Sequence, residues 1–205
     1  ASGGDLRERA LVQAGAVGAG IVVGMALLFV MSRTAPKAGL KFKFSDVPIG
    51  LGAFLLALPI VMLASYGGVY LYQELTGETA GEIAHETLQQ IISNRSNSWA
   101  WLLAGVAVIG SPVLEEILYR GFLQSALLRF TNGQTWISIL GSSAAFALVH
   151  RLSEEPVPWF ALLPIFTLGL CMGVAYERTK RIGVPITMHV CFNAMNVALA
   201  WTTTA

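Results

Sequence analysis

Six polar side chains in otherwise apolar sequence are the ones able to do chemistry. Glu115, Glu116 and Arg120 lie in the run 111–130, and His150, His189 and Asn193 lie in two later apolar runs. A glutamate and a histidine can deprotonate a water for attack on a carbonyl. A histidine and an asparagine on one helical face can donate hydrogen bonds to the resulting oxyanion. Such a set would hydrolyse an amide without a covalent nucleophile.

The spacing separates the two carboxylates. Glu116 and Arg120 stand i, i+4 with the acid first, the better order for a helical ion pair. Glu115 then points about 100° away around the helix, with no cation of its own in the motif. One carboxylate is held by arginine while its neighbour faces a cavity, and unlike environments are what acid–base sites require. The plainer reading is a buried ion-pair clamp with no chemistry. Each ionisable group at membrane depth costs roughly 2.5–3.5 kcal/mol on insertion scales, so all three call for a reason.

The depth is set by composition. The chain has 205 residues, 55% hydrophobic and 12% charged, with a mean hydropathy of +0.64. Soluble domains carry about 25% charged residues. Several apolar runs approach the 20 residues that cross a bilayer. The expectation is an all-α polytopic bundle of about six spans in the cell membrane, surrounded by lipid. A net charge of +1 leaves no electrostatic footprint for nucleic acid. Cys171 and Cys191 lie in apolar runs and read as packing residues rather than a disulfide or metal site. The segment around Asp5–Arg9 is charge-balanced and unlike a secretory leader.

The elements follow in order. Residues 11–31 form the first span, where Gly15, Gly18, Gly20 and Gly24 allow close helix approach. Residues 49–72 form the second, with Pro59 as a kink and Tyr66, Tyr70 and Tyr72 as interfacial aromatics. The polar stretch 73–98 carries a short amphipathic helix through Ile83, Leu88, Ile91 and Ile92. It also holds His85-Glu86, but Gln89 removes the second histidine of a zinc-protease motif, so His85 reads as a solvated loop residue. Residues 99–130 are long for one span, and Ser111-Pro112 either starts a new helix or kinks a continuous one. Spans at 136–150, 159–176 and 184–201 complete the set. The chain divides into a two-span region with its polar loop, 1–98, and a membrane core, 99–205.

Basic loops at 32–48, near Arg129 and at 177–183 alternate with acidic loops at 73–98 and 151–157. The positive-inside rule puts the basic loops in the cytoplasm. At about 1.5 Å per residue from the cytoplasmic helix ends, Glu115 and His150 lie roughly 20 Å deep, Asn193 about 15 Å and His189 about 9 Å. One shared mid-membrane pocket is the expectation.

Three motifs resemble a known family. Glu115-Glu116-Ile-Leu-Tyr-Arg120 matches EExxxR, Phe146-Ala-Leu-Val-His150 matches FxxxH, and His189-Val-Cys-Phe-Asn193 matches HxxxN. In this order, on apolar helices, they resemble the CAAX protease and bacteriocin-processing family of intramembrane endopeptidases. The resemblance covers about residues 99–201. It implies a four-helix catalytic core around a water-filled cavity and a glutamate-type peptidase with no metal or other cofactor. By that analogy Glu115 with His150 activates the water, His189 and Asn193 form the oxyanion hole, and Glu116 and Arg120 support the site. The substrate would be a peptide or membrane protein, lipidated in the CAAX reaction itself.

Rivals are weaker. His, His and Glu can ligate zinc, but nothing in the spacing demands it. An aspartyl protease needs two intramembrane aspartates, and the chain has only Asp5 and Asp46. Gly141-Ser-Ser-Ala144 comes within one residue of a rhomboid GxSG and would make Ser143 the nucleophile. A non-catalytic immunity or regulatory protein of the same fold, and a proton-coupled transporter, remain from other classes. The lack of an internal repeat counts against the transporter.

Overall fold

The computed structural model describes residues 3–34, 42–79, 86–153 and 156–203. His85, Lys37, Lys41, Glu82, Glu154 and Glu155, read above as loop residues, lie outside the described residues, as does Ile83. Among the described residues there are seven helices and no strand. They are α1 (Gly3–Thr34), α2 (Asp46–Thr76), α3 (Glu86–Ser93), α4 (Ser98–Phe130), α5 (Thr135–Leu152), α6 (Trp159–Thr179) and α7 (Gly183–Thr203). The apolar runs predicted all six long helices, and each extends a few residues into polar sequence.

Five of these helices are long and apolar enough to cross a membrane: α1, α2, α4, α6 and α7. The chain is a multi-pass membrane protein. The sixth expected span, α5, has 18 residues and carries Ser138, Ser142, Ser143, His150 and Arg151. Those polar groups lower its apolarity, and its serines are buried against neighbouring helices rather than turned to lipid. It still traverses the bundle beside α6.

The six long helices alternate in direction between two ends. At one end Arg181, before α7, forms an ion pair with Asp46 at the start of α2, and its guanidinium donates to Ser45 Oγ at 2.6 Å. At the other end Tyr72 of α2 meets Phe160 of α6 with ring centroids 5.4 Å apart, and Trp101 of α4 meets Trp201 of α7 at 5.0 Å. Arg7 of α1 lies over Trp99 at that same end. The basic residues Arg33, Lys43, Arg129, Arg178 and Lys180 therefore gather at the first end. This is the alternation that the loop charges required.

Packing, not water exclusion, holds such a bundle together, because lipid is as apolar as leucine. The main core joins Phe54, Ala57 and Val61 of α2 to Phe146 of α5, Leu168 and Met172 of α6, and Val184 and Met188 of α7. A second cluster joins Leu6 and Ala10 of α1 to Ile91 of α3 and Leu103 of α4. Both cross residue 98, so the first two spans share their apolar core with the segment that carries the motifs. The amphipathic helix expected in 73–98 is α3, and its apolar side packs on α4. The outer faces stay apolar and open, as at Val22, Leu56 and Leu63, which suits contact with acyl chains.

Two of the four α1 glycines make close approaches. A Cβ at Gly20 would lie 3.0 Å from Leu114, and one at Gly24 would lie 2.9 Å from Ile117, whereas Gly15 and Gly18 face open space. Thus α1 braces the back of α4 at the residues immediately either side of the glutamates. At Gly68 a Cβ would stand 2.3 Å from the Phe160 carbonyl oxygen, and at Gly52 it would meet nothing within 4 Å. Gly68→Ala should therefore wedge α2 from α6 and lower stability by roughly 1–3 kcal/mol, the usual cost of overpacking. Gly52→Ala should change it by less than about 1 kcal/mol. Thermal unfolding in detergent distinguishes them, and equal effects would contradict this packing.

Candidate active site

The helix that carries the carboxylates is continuous through Ser111-Pro112, but not regular. Val106–Gly110 and Ile117–Gln124 wind with π-helical spacing on either side of the α-helical Ser111–Glu116. Such turns recur at functional sites because they re-aim side chains without breaking the helix. Pro112 explains the first one, since it has no amide hydrogen and its ring clashes with the carbonyl four residues back.

Glu116 and Arg120 are wholly buried, and Arg120 Nη1 donates to Glu116 Oε1 at 2.9 Å. The pairing read from i, i+4 spacing is present. Each charge has a second partner. Arg120 Nη2 donates to the Gly169 carbonyl of α6 at 3.0 Å. His189 Nδ1 lies 3.0 Å from the same Glu116 oxygen. A carboxylate accepts, so Nδ1 carries the proton and donates. Buried ion pairs offset desolvation only when such further hydrogen bonds are made. Glycine at 169 matters here, because a Cβ would meet Ser143 and Phe146 at 3.2 and 3.4 Å.

Glu115 is different. Its side chain is 26% exposed, and its Oε2 lies 3.7 Å from His189 Nε2, beyond a direct hydrogen bond. That oxygen is buried and has no hydrogen-bond partner among the described residues, as is also true of Glu116 Oε2. The two adjacent carboxylates do have unlike surroundings, one clamped and one open. The histidine beside Glu115 is His189, where the family analogy pairs it with His150. His150 turns its Nδ1 to the Phe146 carbonyl of its own helix at 2.8 Å. A carbonyl only accepts, so the proton sits on Nδ1 and the Nε2 lone pair points away.

Phe146 ties these groups together. Its ring centroid is 4.7 Å from that of His150, 5.6 Å from His189 and 5.2 Å from Tyr119. The Arg120 guanidinium carbon lies 5.1 Å from the same centroid, within cation–π range. Asn193 Nδ2 donates to the Ala107 carbonyl of α4 at 2.8 Å. The structure thus brings Glu115, Glu116, Arg120 and His189 into one cluster. It sets His150 across the Phe146 ring and places Asn193 one turn beyond His189, bonded to α4.

Sequence reasoning missed four contributors: Phe146 as the shared platform, Ala107, Gly169 and Gln124. Gln124 is fully buried and donates to the Gly173 carbonyl at 3.1 Å, while Ser142 Oγ donates to its Oε1 at 3.4 Å. A signal existed, since Gln124 follows Arg120 by four residues and Gly173 follows Gly169 by four. Ser143, the rhomboid-like alternative, is buried beside Gly169 and has no hydrogen-bond partner among the described residues, whereas both intramembrane histidines are engaged elsewhere. Among the described residues no group of three or more His, Cys, Asp or Glu is arranged to hold a metal ion. Cys171 and Cys191 are free thiols packed against the main core.

Fold and site together define a polytopic α-helical membrane protein with a buried carboxylate–arginine–histidine cluster. Residues 97–195 match the family described as type II CAAX prenyl endopeptidase Rce1-like. The family resemblance is therefore shown for the segment that carries the three motifs. The chain is 35% identical over 98 residues to the "Putative membrane peptidase YdiL" of Bacillus subtilis (strain 168), covering 48% of this chain and 37% of that protein. It is 29% identical over 93 residues to the "Membrane-embedded CAAX protease MroQ" of Staphylococcus aureus (strain USA300), covering 45% and 36%. The matched region thus spans less than two-fifths of either curated relative. No solved structure matches the chain.

Arg120→Ala would leave Glu116 charged, wholly buried and without its guanidinium. Losing one partner of a buried pair typically costs about 3–5 kcal/mol. Denaturant unfolding in detergent should show a loss of that order, with part of it recovered in Glu116→Leu/Arg120→Met. A loss below about 1 kcal/mol, as for a surface pair, would contradict the clamp.

Proposed function

We propose that this chain is an intramembrane endopeptidase that hydrolyses a peptide bond with a water activated by Glu115. The observation that carries the reading is the approach of Glu115 Oε2 to His189 Nε2 at 3.7 Å, with His189 anchored from behind by Glu116. A water resting against the open carboxylate gives its proton to Glu115 as it attacks the scissile carbonyl. The Nε2 lone pair of His150 offers a second acceptor across the Phe146 ring. The developing oxyanion takes hydrogen bonds from His189 Nε2 and the Asn193 amide. Because Nδ1–H is already engaged by Glu116, donation from Nε2 uses the doubly protonated ring, whose charge the two flanking carboxylates balance. Glu115 then passes its proton to the leaving amine, and the site returns to its starting state.

Glu116 and Arg120 do not touch the reacting atoms in this scheme. They hold His189 and fix the charge balance. The family match and the names of both relatives support a peptide or protein substrate. A substrate already in the bilayer, including a lipidated one, suits a site on the interior faces of membrane helices. Zinc is not part of the scheme, and among the described residues Ser143 Oγ has no hydrogen-bond partner to serve as its base.

The test is a comparison of protein termini in membranes carrying wild-type chain or Glu115→Gln. A peptidase yields a terminus present only with the wild type. On a quenched-fluorescence peptide built on that cut, Glu115→Gln should lower kcat by about 10²–10⁴-fold, the range for losing a general base. Both proteins should insert and unfold alike. Cleavage should survive metal chelators. If the variant cuts the peptide as well as wild type, Glu115 does not activate the water; if no terminus appears with the wild type, the fold is serving as a non-catalytic scaffold.

A further inference from the structure

Pro112 is buried in the middle of a membrane-length helix, three residues before Glu115. A proline there removes one helical donor, so one carbonyl must go unpaired or find another partner. The geometry identifies which. The Ser111 N–H donates to the Val106 carbonyl, five residues back, where a regular helix would reach Ala107. In that wider register the Ala107 carbonyl faces position 112, which has no hydrogen to give. Asn193 of α7 supplies the missing donor, Nδ2 to Ala107 O at 2.8 Å.

We propose that Pro112 is a positioning residue for Asn193. By leaving Ala107 O without a helical partner, it creates the acceptor that fixes the plane of the Asn193 amide. The amide nitrogen has two N–H groups, and with one held on α4 the other has a set direction. The same bond ties α7 to α4 one turn from the His189–Glu116 contact. Its catalytic consequence rests on the reading of Asn193 as an oxyanion donor, but the coupling between Pro112 and Asn193 does not.

A double-mutant cycle separates the two. Thermal unfolding is measured for detergent-purified wild type, Pro112→Ala, Asn193→Ala and the double variant. Pro112→Ala restores an N–H that can occupy Ala107 O, and it should not lower Tm, because it removes a helix-interior proline. Asn193→Ala should lower Tm by about 2–4 °C in the wild-type background, the scale of one hydrogen bond in a chain of this size. In the Pro112→Ala background it should lower Tm by about 1 °C or less. On the mapped peptide, Pro112→Ala should lose about 10-fold or more in kcat with KM changed less than about twofold, and the double variant should be no slower than Asn193→Ala. A proline that only packed would not give lost turnover with undiminished stability. Equal Tm losses in both backgrounds overturn the proposal, whether or not the chain cleaves anything. A coupled cycle in a chain that cuts nothing keeps the Pro112–Asn193 link and removes the peptidase reading instead. Should Pro112→Ala fail to fold, Pro112→Ser restores the same N–H and replaces it in the cycle.

Discussion

A charged arginine sealed inside a membrane bundle is the constraint on which this structure rests. Arg120 has no route to water, so its charge must be met within the protein. Glu116 meets it from the same helix and the Gly169 carbonyl meets it from α6. Once those two partners are fixed, the distance and rotation between α4 and α6 are fixed with them. Gly169 and Gly173 supply the carbonyls because their missing side chains let Arg120, Gln124 and the α5 face reach the α6 backbone.

The rest of the cluster hangs from that pair. Glu116 shares its Oε1 with His189, which holds the Nδ1 proton of His189 and turns Nε2 towards Glu115. Phe146 packs against the guanidinium and both histidines at once, so α5 and α7 are referred to the same point. The two carboxylates are adjacent in sequence yet unlike in surroundings. One is wholly buried and bonded to Arg120 and His189; the other is 26% exposed, with its Oε2 3.7 Å from His189 Nε2. A site for acid–base chemistry needs that division. The first two spans are part of the arrangement, since α1 supports α4 behind the glutamates and α2 contributes to the core beneath Phe146.

Much of this was legible in the sequence, and the remainder was not for identifiable reasons. Apolar runs predict the six long helices because lipid leaves the backbone no alternative partner. Their ends run longer than hydropathy suggests, since polar residues such as Asp46 and Gln73 continue the helical hydrogen bonding past the apolar stretch. The Glu116–Arg120 pair is a property of one helix, and spacing alone gives it. Which histidine stands beside Glu115 depends on how α4, α5 and α7 cross, and on two π-helical turns that rotate α4 away from regular spacing. A pattern based on 3.6 residues per turn cannot report that rotation. In the same way, four glycines on α1 look equivalent in sequence, but only Gly20 and Gly24 meet α4. Pro112 is visible as a helix irregularity, and its distant partner Asn193 is not.

The central claim is that an open carboxylate on α4 and a histidine–asparagine pair on α7 face the same scissile amide. An experimental structure of the wild-type chain with a phosphinate isostere of its cleaved peptide tests this most directly. One phosphinate oxygen should lie within about 3 Å of the Glu115 carboxyl, where the attacking water would be, and the other within about 3 Å of His189 Nε2 and the Asn193 amide. A phosphinate bound with neither oxygen on these groups, or with Glu115 sealed from it by protein, would contradict the account.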